Sequence, residues 1–171
     1  MKSLRSTRGS SALEFILLGI PLIFVLISTF EMSRGMWLYH TLAYAIKDGA
    51  RYAVVHGQSC TIPPNACEVT ISKIASQIQS SGSGLEDDKL TLTFTPSSGS
   101  AITCLLRDCI DNYATTSWPS GAANAPGDVV NISGVYPFNS AMAMFWPGTS
   151  PTMGSPTVVN LQADARESIQ Y

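Results

Sequence analysis

A long run of apolar residues near the N-terminus is the strongest pattern in the chain. It covers nineteen positions, residues 12–30, and contains no charged side chain between Phe15 and Phe30. A helix needs about 20 apolar residues to cross a bilayer. The run therefore predicts a transmembrane helix over residues 10–30, with one carboxylate, Glu14, near its start.

The helical pattern continues beyond this run, over residues 31–56. Charged side chains in this part, among them Arg34, Lys47, Asp48 and Arg51, lie off one apolar face. Apolar residues recur on that face at spacings of four and three, as on an amphipathic helix: Met32, Met36, Tyr39, Ala43, Ile46, Ala50 and Ala53. We therefore expect one continuous helix from the membrane segment into the following domain, with this face packed on the domain's core.

After residue 56 the pattern changes to short elements, which we expect to form one extracytoplasmic domain over residues 57–171. A short amphipathic helix is predicted over residues 68–80. Three later segments alternate between apolar and polar residues, as half-buried strands do, and Gly134 in the second is interpreted as the site of a bulge: Leu90–Thr95, Val130–Tyr136 and Val159–Arg166. The predicted fold is α+β, with the long N-terminal helix packed on a small, mainly antiparallel sheet.

The composition gives little support to catalysis or to nucleic-acid binding. The formal net charge is −2, so the chain has no basic surface for a phosphate backbone. It contains no nucleophile elbow, phosphate loop, dinucleotide fingerprint or metal-binding helix motif. We therefore expect no enzyme, and no cofactor is implied. The acidic groups at residues 86–88 and 108–112 fit polar turns better than a calcium loop, which needs oxygen ligands at alternating positions.

All four cysteines follow the apolar run, in two close pairs. These are Cys60 with Cys67 and Cys104 with Cys109. An even number of cysteines in an exported segment indicates disulfides, and we expect one bond within each pair. Zinc is a weaker interpretation because both spacings are wide for a zinc knuckle and no histidine lies near a pair. Free structural thiols are the remaining alternative.

The residues before the apolar run determine its expected orientation. Lys2, Arg5 and Arg8 are basic, and no acidic residue accompanies them. By the positive-inside rule this end stays in the cytoplasm and the rest of the chain is translocated. A secretory signal peptide is the alternative, but no small-x-small cleavage site follows the run, and the helical pattern does not stop there.

The junction of leader and helix carries a resemblance to a known family. Gly9 follows the basic leader and lies five residues before Glu14, an arrangement that resembles a type IV prepilin processing site. The segment from Arg8 to Val55 resembles the TadE-like family of tight-adherence pilus proteins, and the remainder of the chain does so only in outline. The resemblance rests on Glu14-Phe15, Pro21, Glu31 with Arg34, and Asp48-Gly49-Ala50-Arg51-Tyr52-Ala53.

The resemblance implies a minor pseudopilin of a Tad or type IVb pilus assembly system. A prepilin peptidase would cut between Gly9 and Ser10 and remove residues 1–9 as a leader. Glu14 and Phe15 would then act in assembly, with the Glu14 carboxylate paired to the new amino group of a neighbouring subunit. The implied partners are the peptidase, other pilins and the assembly platform in the cytoplasmic membrane. The mature subunit would sit in that membrane or enter an extracellular pilus.

Two alternatives from other functional classes stay open. The first is an uncleaved single-pass membrane protein whose exported domain binds a ligand or a surface. The second, less favoured, is an exported hydrolase.

Pro21 also allows two interpretations. A proline within a helix lacks a hydrogen-bond donor and displaces a carbonyl, so we expect a kink or local unwinding there. Membrane helices often tolerate such a residue. The other interpretation is a stretch that extends when the helix packs in a filament.

Overall fold

The computed structural model describes residues 8–56, 69–140 and 158–170, without the side chains of residues 8–12 and 122. These residues fall into two compact units, one formed by residues 8–35 with Ser140 and the other by residues 36–139 and 158–170. The elements are three α-helices, four strands and one short 3-10 helix: α1 (Arg8–Val54), α2 (Ile71–Ser81), β1 (Thr91–Thr95), β2 (Ile102–Leu105), α3 (Leu106–Asn112), the 3-10 helix (Gly121–Ala123), β3 (Val129–Asn139) and β4 (Val158–Ser168).

Helix α1 contains 47 residues and includes Pro21. The long apolar helix that continues into the domain is therefore confirmed. The helix continues without a break through Pro21, so no turn is unwound there. The kink expected at this residue stays a prediction.

The four strands form one antiparallel sheet in the order β2-β1-β3-β4. Strand β3 lies at its centre and pairs with β4 along all eleven residues, from Val129 opposite Ser168 to Asn139 opposite Val158. The predicted α+β class, with a helix packed on a small antiparallel sheet, is confirmed.

The core of the second unit lies between one face of this sheet and the helices α1 and α2. Its apolar side chains alternate along the strands, because successive residues of a strand point to opposite faces. The largest fully buried members come from both helices, the sheet and the segments that flank β1 and β2: Leu42, Ile46, Ile71, Ile74, Ile78, Leu90, Leu92, Phe94, Leu106, Val130 and Ile132.

The apolar face predicted for α1 is wrong in its first half. Met32, Met36 and Tyr39 are 71%, 58% and 45% exposed. The buried face begins at Leu42 and includes two neighbouring rows: Leu42, Ala45, Ile46, Gly49, Ala50, Ala53 and Val54. The physical reason is that the sheet and α2 cover α1 from Leu42 onward and not over the first half of the predicted face. Because two elements cover this part, the buried face is also wider than the single row that the spacing marked.

The bulge expected at Gly134 is absent. Gly134 stands opposite Leu92 on one side and Ala163 on the other, and the register continues evenly through both pairs. The glycine is needed for packing instead. A Cβ at this position would lie 2.7 Å from Ile46 Cδ1 and 3.3 Å from Leu42 Cδ1, so the missing side chain is what lets α1 approach the sheet.

Two elements between residues 102 and 112 were not predicted. Residues Ile102–Leu105 form the edge strand β2, and helix α3 follows without an intervening loop. A four-residue strand is too short to show a clear period of two, and the adjacent apolar residues Leu105 and Leu106 obscure the change of element. Helix α2 was predicted correctly, although it begins at Ile71 and not at residue 68. Thr70 caps its start, because the Thr70 hydroxyl accepts a hydrogen bond from the backbone N–H of Lys73 in the first turn (3.4 Å).

Helices α1 and α2 meet at Gly49. A Cβ on Gly49 would clash with Ile78 Cγ1 and would lie 2.8 Å from Ile78 Cδ1. Both atoms belong to a fully buried side chain, so Ile78 has little room to move away. The close approach of the two helices therefore depends on the absence of a side chain at residue 49.

We predict that Gly49→Ala destabilises the domain. Overpacking costs about 1–3 kcal/mol, and the better helix propensity of alanine offsets about 1 kcal/mol of it. In an Ile78→Ala background the clash is gone, so the same substitution should be neutral or stabilising there. Denaturant unfolding of the full chain in detergent micelles measures both effects.

The control is Gly121→Ala, where a Cβ would meet no atom within 4 Å. An equal cost of Gly49→Ala in both backgrounds would contradict the assigned contact with Ile78.

Candidate functional site

Helix α1 holds all the predicted processing and assembly residues, and its apolar segment is exposed. From Leu13 to Phe30 every residue is exposed except Gly19 and Ser28, which are half-buried. Burying a large apolar side chain is worth about 1.5–3 kcal/mol. The thirteen large apolar side chains exposed in this stretch therefore represent on the order of tens of kcal/mol that only lipid or other protein surfaces can recover.

Within the described parts of the chain, α1 is the one helix long and apolar enough to cross a membrane by length and composition. Its apolar window has a mean hydropathy of 2.4, and none of that window is buried. A helix of a folded core would show the opposite, with its apolar side chains covered.

The hydroxyl groups in and just after this segment are satisfied within the helix itself. Ser28 Oγ donates to the carbonyl of Phe24 (2.7 Å), and Thr29 Oγ1 donates to that of Val25 (2.8 Å). Ser33 Oγ donates in the same way to the carbonyl of Thr29 (2.8 Å). Such bonds to the preceding turn remove the cost of placing a hydroxyl in an apolar surrounding.

Glu31 and Arg34 follow the apolar run and form an ion pair. Arg34 Nη1 lies 3.4 Å from Glu31 Oε1, and the Glu31 side chain is buried whereas Arg34 is about half exposed. Because burial is costly for an unpaired carboxylate, the pairing with Arg34 offsets part of the cost of burying Glu31.

The predicted processing and assembly residues lie in the first turns of α1. Gly9 and Ser10 are helical, and Glu14 and Phe15 are exposed on the next turn. Residues four apart lie on the same face of a helix, about 6 Å apart along its axis. The backbone of Ser10 and the carboxylate of Glu14 therefore lie on one face, and a new amino group at Ser10 would be within one helical turn of that carboxylate.

The Asp48–Ala53 motif contacts α2. Asp48 Oδ2 accepts hydrogen bonds from Ser81 Oγ (2.5 Å) and Gln77 Nε2 (2.8 Å), both on α2. The bond from Ser81, followed by that from Gln77, holds the pKa of the Asp48 carboxyl below its usual value. Gly49 admits Ile78, while Ala50 and Ala53 are fully buried in the core.

The motif is thus a docking site for a neighbouring helix. The sequence had indicated a core-facing position for Ala50 and Ala53, but it did not reveal that Asp48 and Gly49 receive a second helix. The sequence signal for this role is a glycine and two alanines beside an aspartate. The small residues allow a second helix to approach closely, and the aspartate can accept hydrogen bonds from its polar side chains.

A disulfide joins Cys104 at the end of β2 to Cys109 in α3 (Cα–Cα 5.5 Å). Cys109 is fully buried, and the N–H of Leu106 between them donates to the carbonyl of Leu90 (2.8 Å). The bond therefore closes the tight change from strand to helix. The other expected pair, Cys60 with Cys67, lies outside the described residues and stays a prediction.

The acidic groups at residues 86–88 and 108–112 are not assembled into a metal site. Glu86 pairs with Lys89 (2.6 Å), and this contact raises the pKa of the Lys89 ammonium group. Asp87 accepts a hydrogen bond from Gln79 (3.3 Å). In the described parts of the chain no group of three or more histidine, cysteine or acidic residues could hold an ion.

An open groove of about 500 Å³ lies at one end of the sheet. Its polar lining includes Thr95, Ser97, Asp128, Asn131 and Arg166. The Asn131 Oδ1 atom is buried without a hydrogen bond to protein, but the groove contains neither a histidine nor a cysteine beside a base.

Comparison with known protein families gives one match, to the family described as TadE-like protein, over residues 9–51. The match confirms the predicted resemblance for the segment that begins at Gly9 and ends within the Asp48–Ala53 motif. Comparisons with curated proteins and with solved structures each returned no match.

We predict that Asp48→Ala loosens α2 from α1 and that the effect depends on pH. Two hydrogen bonds to a charged acceptor are lost, and with solvent screening the cost is about 1–2 kcal/mol near pH 7. The folded pKa of Asp48 is depressed, so its stabilising contribution is present above the unfolded value of about 3.9 and disappears as the pH falls through the folded value. The difference in unfolding free energy between parent and variant should therefore shrink below about pH 4.

The measurement is denaturant unfolding of both proteins from pH 7 to pH 2.5, with hydrogen exchange of the α2 amides. Asp88→Ala removes an exposed carboxylate instead and serves as control. A difference between parent and Asp48→Ala that is constant over this pH range would contradict the assigned role.

Proposed function

We propose that this chain is a pilin-like minor pseudopilin of a Tad or type IVb pilus assembly system, anchored and assembled through α1. The observation that carries the proposal is the exposed apolar segment Leu13–Phe30, which lies inside the TadE-like match and continues into the domain core as part of the same helix. A family associated with pili and a helix that requires an apolar surrounding support the same function.

The proposed orientation leaves the N-terminus in the cytoplasm and residues 57–171 outside. Three basic side chains precede the apolar segment, which favours this direction of insertion. A disulfide at Cys104–Cys109 fits an oxidising compartment. We propose residues 1–9 as leader, 10–30 as membrane helix and 31–56 as its amphipathic continuation, in a protein of the cytoplasmic membrane that can enter an extracellular pilus.

The proposed maturation is cleavage by a prepilin peptidase between Gly9 and Ser10. Gly9 is small and stands between the basic leader and the apolar segment. Cleavage leaves a positively charged amino group on Ser10 at the membrane surface.

Glu14 is proposed to receive this amino group from a neighbouring subunit. When helices pack together, either charge alone would cost several kcal/mol among apolar side chains. Paired, the two charges offset one another and fix the axial register between subunits. Phe15, which is 76% exposed, supplies apolar contact beside the pair. The other partners would be further pilins and the membrane platform; no catalytic step is assigned to the chain.

Glu14→Leu tests this proposal. Leucine is similar in size and more apolar, so membrane insertion and cleavage should be retained, and the mature protein should begin at Ser10 by N-terminal sequencing. Co-assembly should be lost, because the amino group of the neighbouring subunit then has no counter-charge; crosslinking between subunits in cells that carry the pilus system should fall to background.

Ile16→Leu is the matched control on the same segment and should crosslink as the parent does, whereas Gly9→Val should accumulate uncleaved in the membrane. If the mature parent protein in the membrane still starts at Met1, the processed pilin is excluded. The uncleaved membrane protein with a binding domain is then favoured. If Glu14→Leu crosslinks as well as the parent, Glu14 has no part in assembly.

A further inference from the structure

Strand β4 is an edge strand of the sheet, and among the described residues no strand pairs with its outer side. Strand β3 pairs with it along all eleven residues. On the other side, no backbone hydrogen bond reaches Val158–Ser168 from any residue in the described parts of the chain. An unpaired edge of this length exposes a row of N–H and C=O groups that can accept another strand.

The residues just after β4 show which of its backbone groups point to the free side. The N–H of Ile169 donates to the carbonyl of Asp128 (2.8 Å), and its C=O accepts from Gly127 (2.8 Å). Ile169 therefore faces the β3 side, and Gln170 faces away from it, donating to the carbonyl of Val54 (3.3 Å). Since these directions alternate along an antiparallel strand, the even-numbered residues of β4 direct their backbone groups to the free edge.

The side chains of these even-numbered residues lie on the exposed face of the sheet, opposite α1, and all six are exposed: Val158, Asn160, Gln162, Asp164, Arg166 and Ser168. Two of them, Asp164 and Arg166, carry opposite charges two positions apart. Between them lies Ala165, a small buried residue. Charges on an edge usually oppose strand pairing, but one acid and one base at this spacing are self-complementary in an antiparallel pair.

We propose that β4 pairs with β4 of a second copy of this chain, antiparallel and centred on Ala165. In this register Asp164 of one copy stands opposite Arg166 of the other, and the reverse pair forms on the other side of the two-fold axis. Both members are even-numbered, so each pair also exchanges backbone hydrogen bonds across the new edge. The result is one continuous eight-stranded sheet with isologous contacts.

Other registers lack this match. Centring the pair on Ala163 places Gln162 opposite Asp164 and Asn160 opposite Arg166, which leaves both charges without an opposite charge directly across. Directly opposed unlike charges favour a pairing, whereas like charges disfavour it, so charge selects the register centred on Ala165. This contact uses neither α1 nor Glu14 and does not depend on the proposed function in a pilus.

A charge exchange tests the proposal with the full chain in non-ionic detergent micelles. Asp164→Arg places arginine opposite arginine twice in a homodimer, and Arg166→Asp places aspartate opposite aspartate twice. Each variant alone should self-associate at least about tenfold more weakly than the parent at low salt. An equimolar mixture of the two restores both opposite-charge pairs and should associate as the parent does.

Energy transfer between donor-labelled and acceptor-labelled copies measures each combination, and sedimentation velocity gives the size of the complex. The matched controls are Asp88→Arg and Arg107→Asp, which exchange exposed charges away from β4 and should leave association unchanged. Association through the apolar part of α1 would be insensitive to the β4 charges. The proposal is overturned if the parent is monomeric at tens of micromolar, if the β4 variants associate as the parent does, or if their mixture shows no recovery.

Discussion

The exposed apolar surface of α1 between Leu13 and Phe30 is the constraint on which the remaining features depend. No charged side chain interrupts it after Glu14 until Glu31, and its serine and threonine hydroxyls are bonded to the preceding turn. Such a surface needs a bilayer or other apolar helices around it. The carboxylate at its start is then a place where charge must be compensated, which is why Glu14 carries the proposed assembly function, whereas Glu31 at its end is paired with Arg34.

The same helix meets a second requirement in the folded domain, where it must fit closely against α2 and the sheet. Small residues meet this requirement on both sides of the contact. Gly49 makes room for Ile78 of α2, and Gly134 of β3 makes room for Ile46 of α1. Asp48 adds two hydrogen bonds that hold α2 in place. The family match over residues 9–51 therefore joins an apolar segment to a packing motif, and the two parts meet different physical requirements.

Much of the fold followed from the sequence because periodicity reports burial. The strand at Leu90–Thr95 and the helix before it were predicted because their apolar residues recur regularly. The face of α1 could not be predicted as well, since two elements cover it and widen the buried area to Leu42 and Ala45. Strand β2 was missed because four residues carry almost no period. Gly9, Ser10 and Glu14 were singled out by a resemblance, and the roles proposed for them involve an enzyme and neighbouring subunits, which the fold of a single chain does not contain.

Cysteine accessibility along α1 in native membranes tests the central claim most directly, since one helix is assigned two surroundings. Single cysteines at successive positions from Leu13 to Tyr52 are treated with a charged maleimide, with the unsubstituted chain as blank. Uniform protection is expected from Leu13 to Phe30. Beyond Phe30, labelling is expected at the exposed positions Tyr44, Lys47 and Arg51, and protection at Leu42, Ile46 and Ala50. Labelling every third or fourth residue between Leu13 and Phe30 would show a water-facing side and would contradict it.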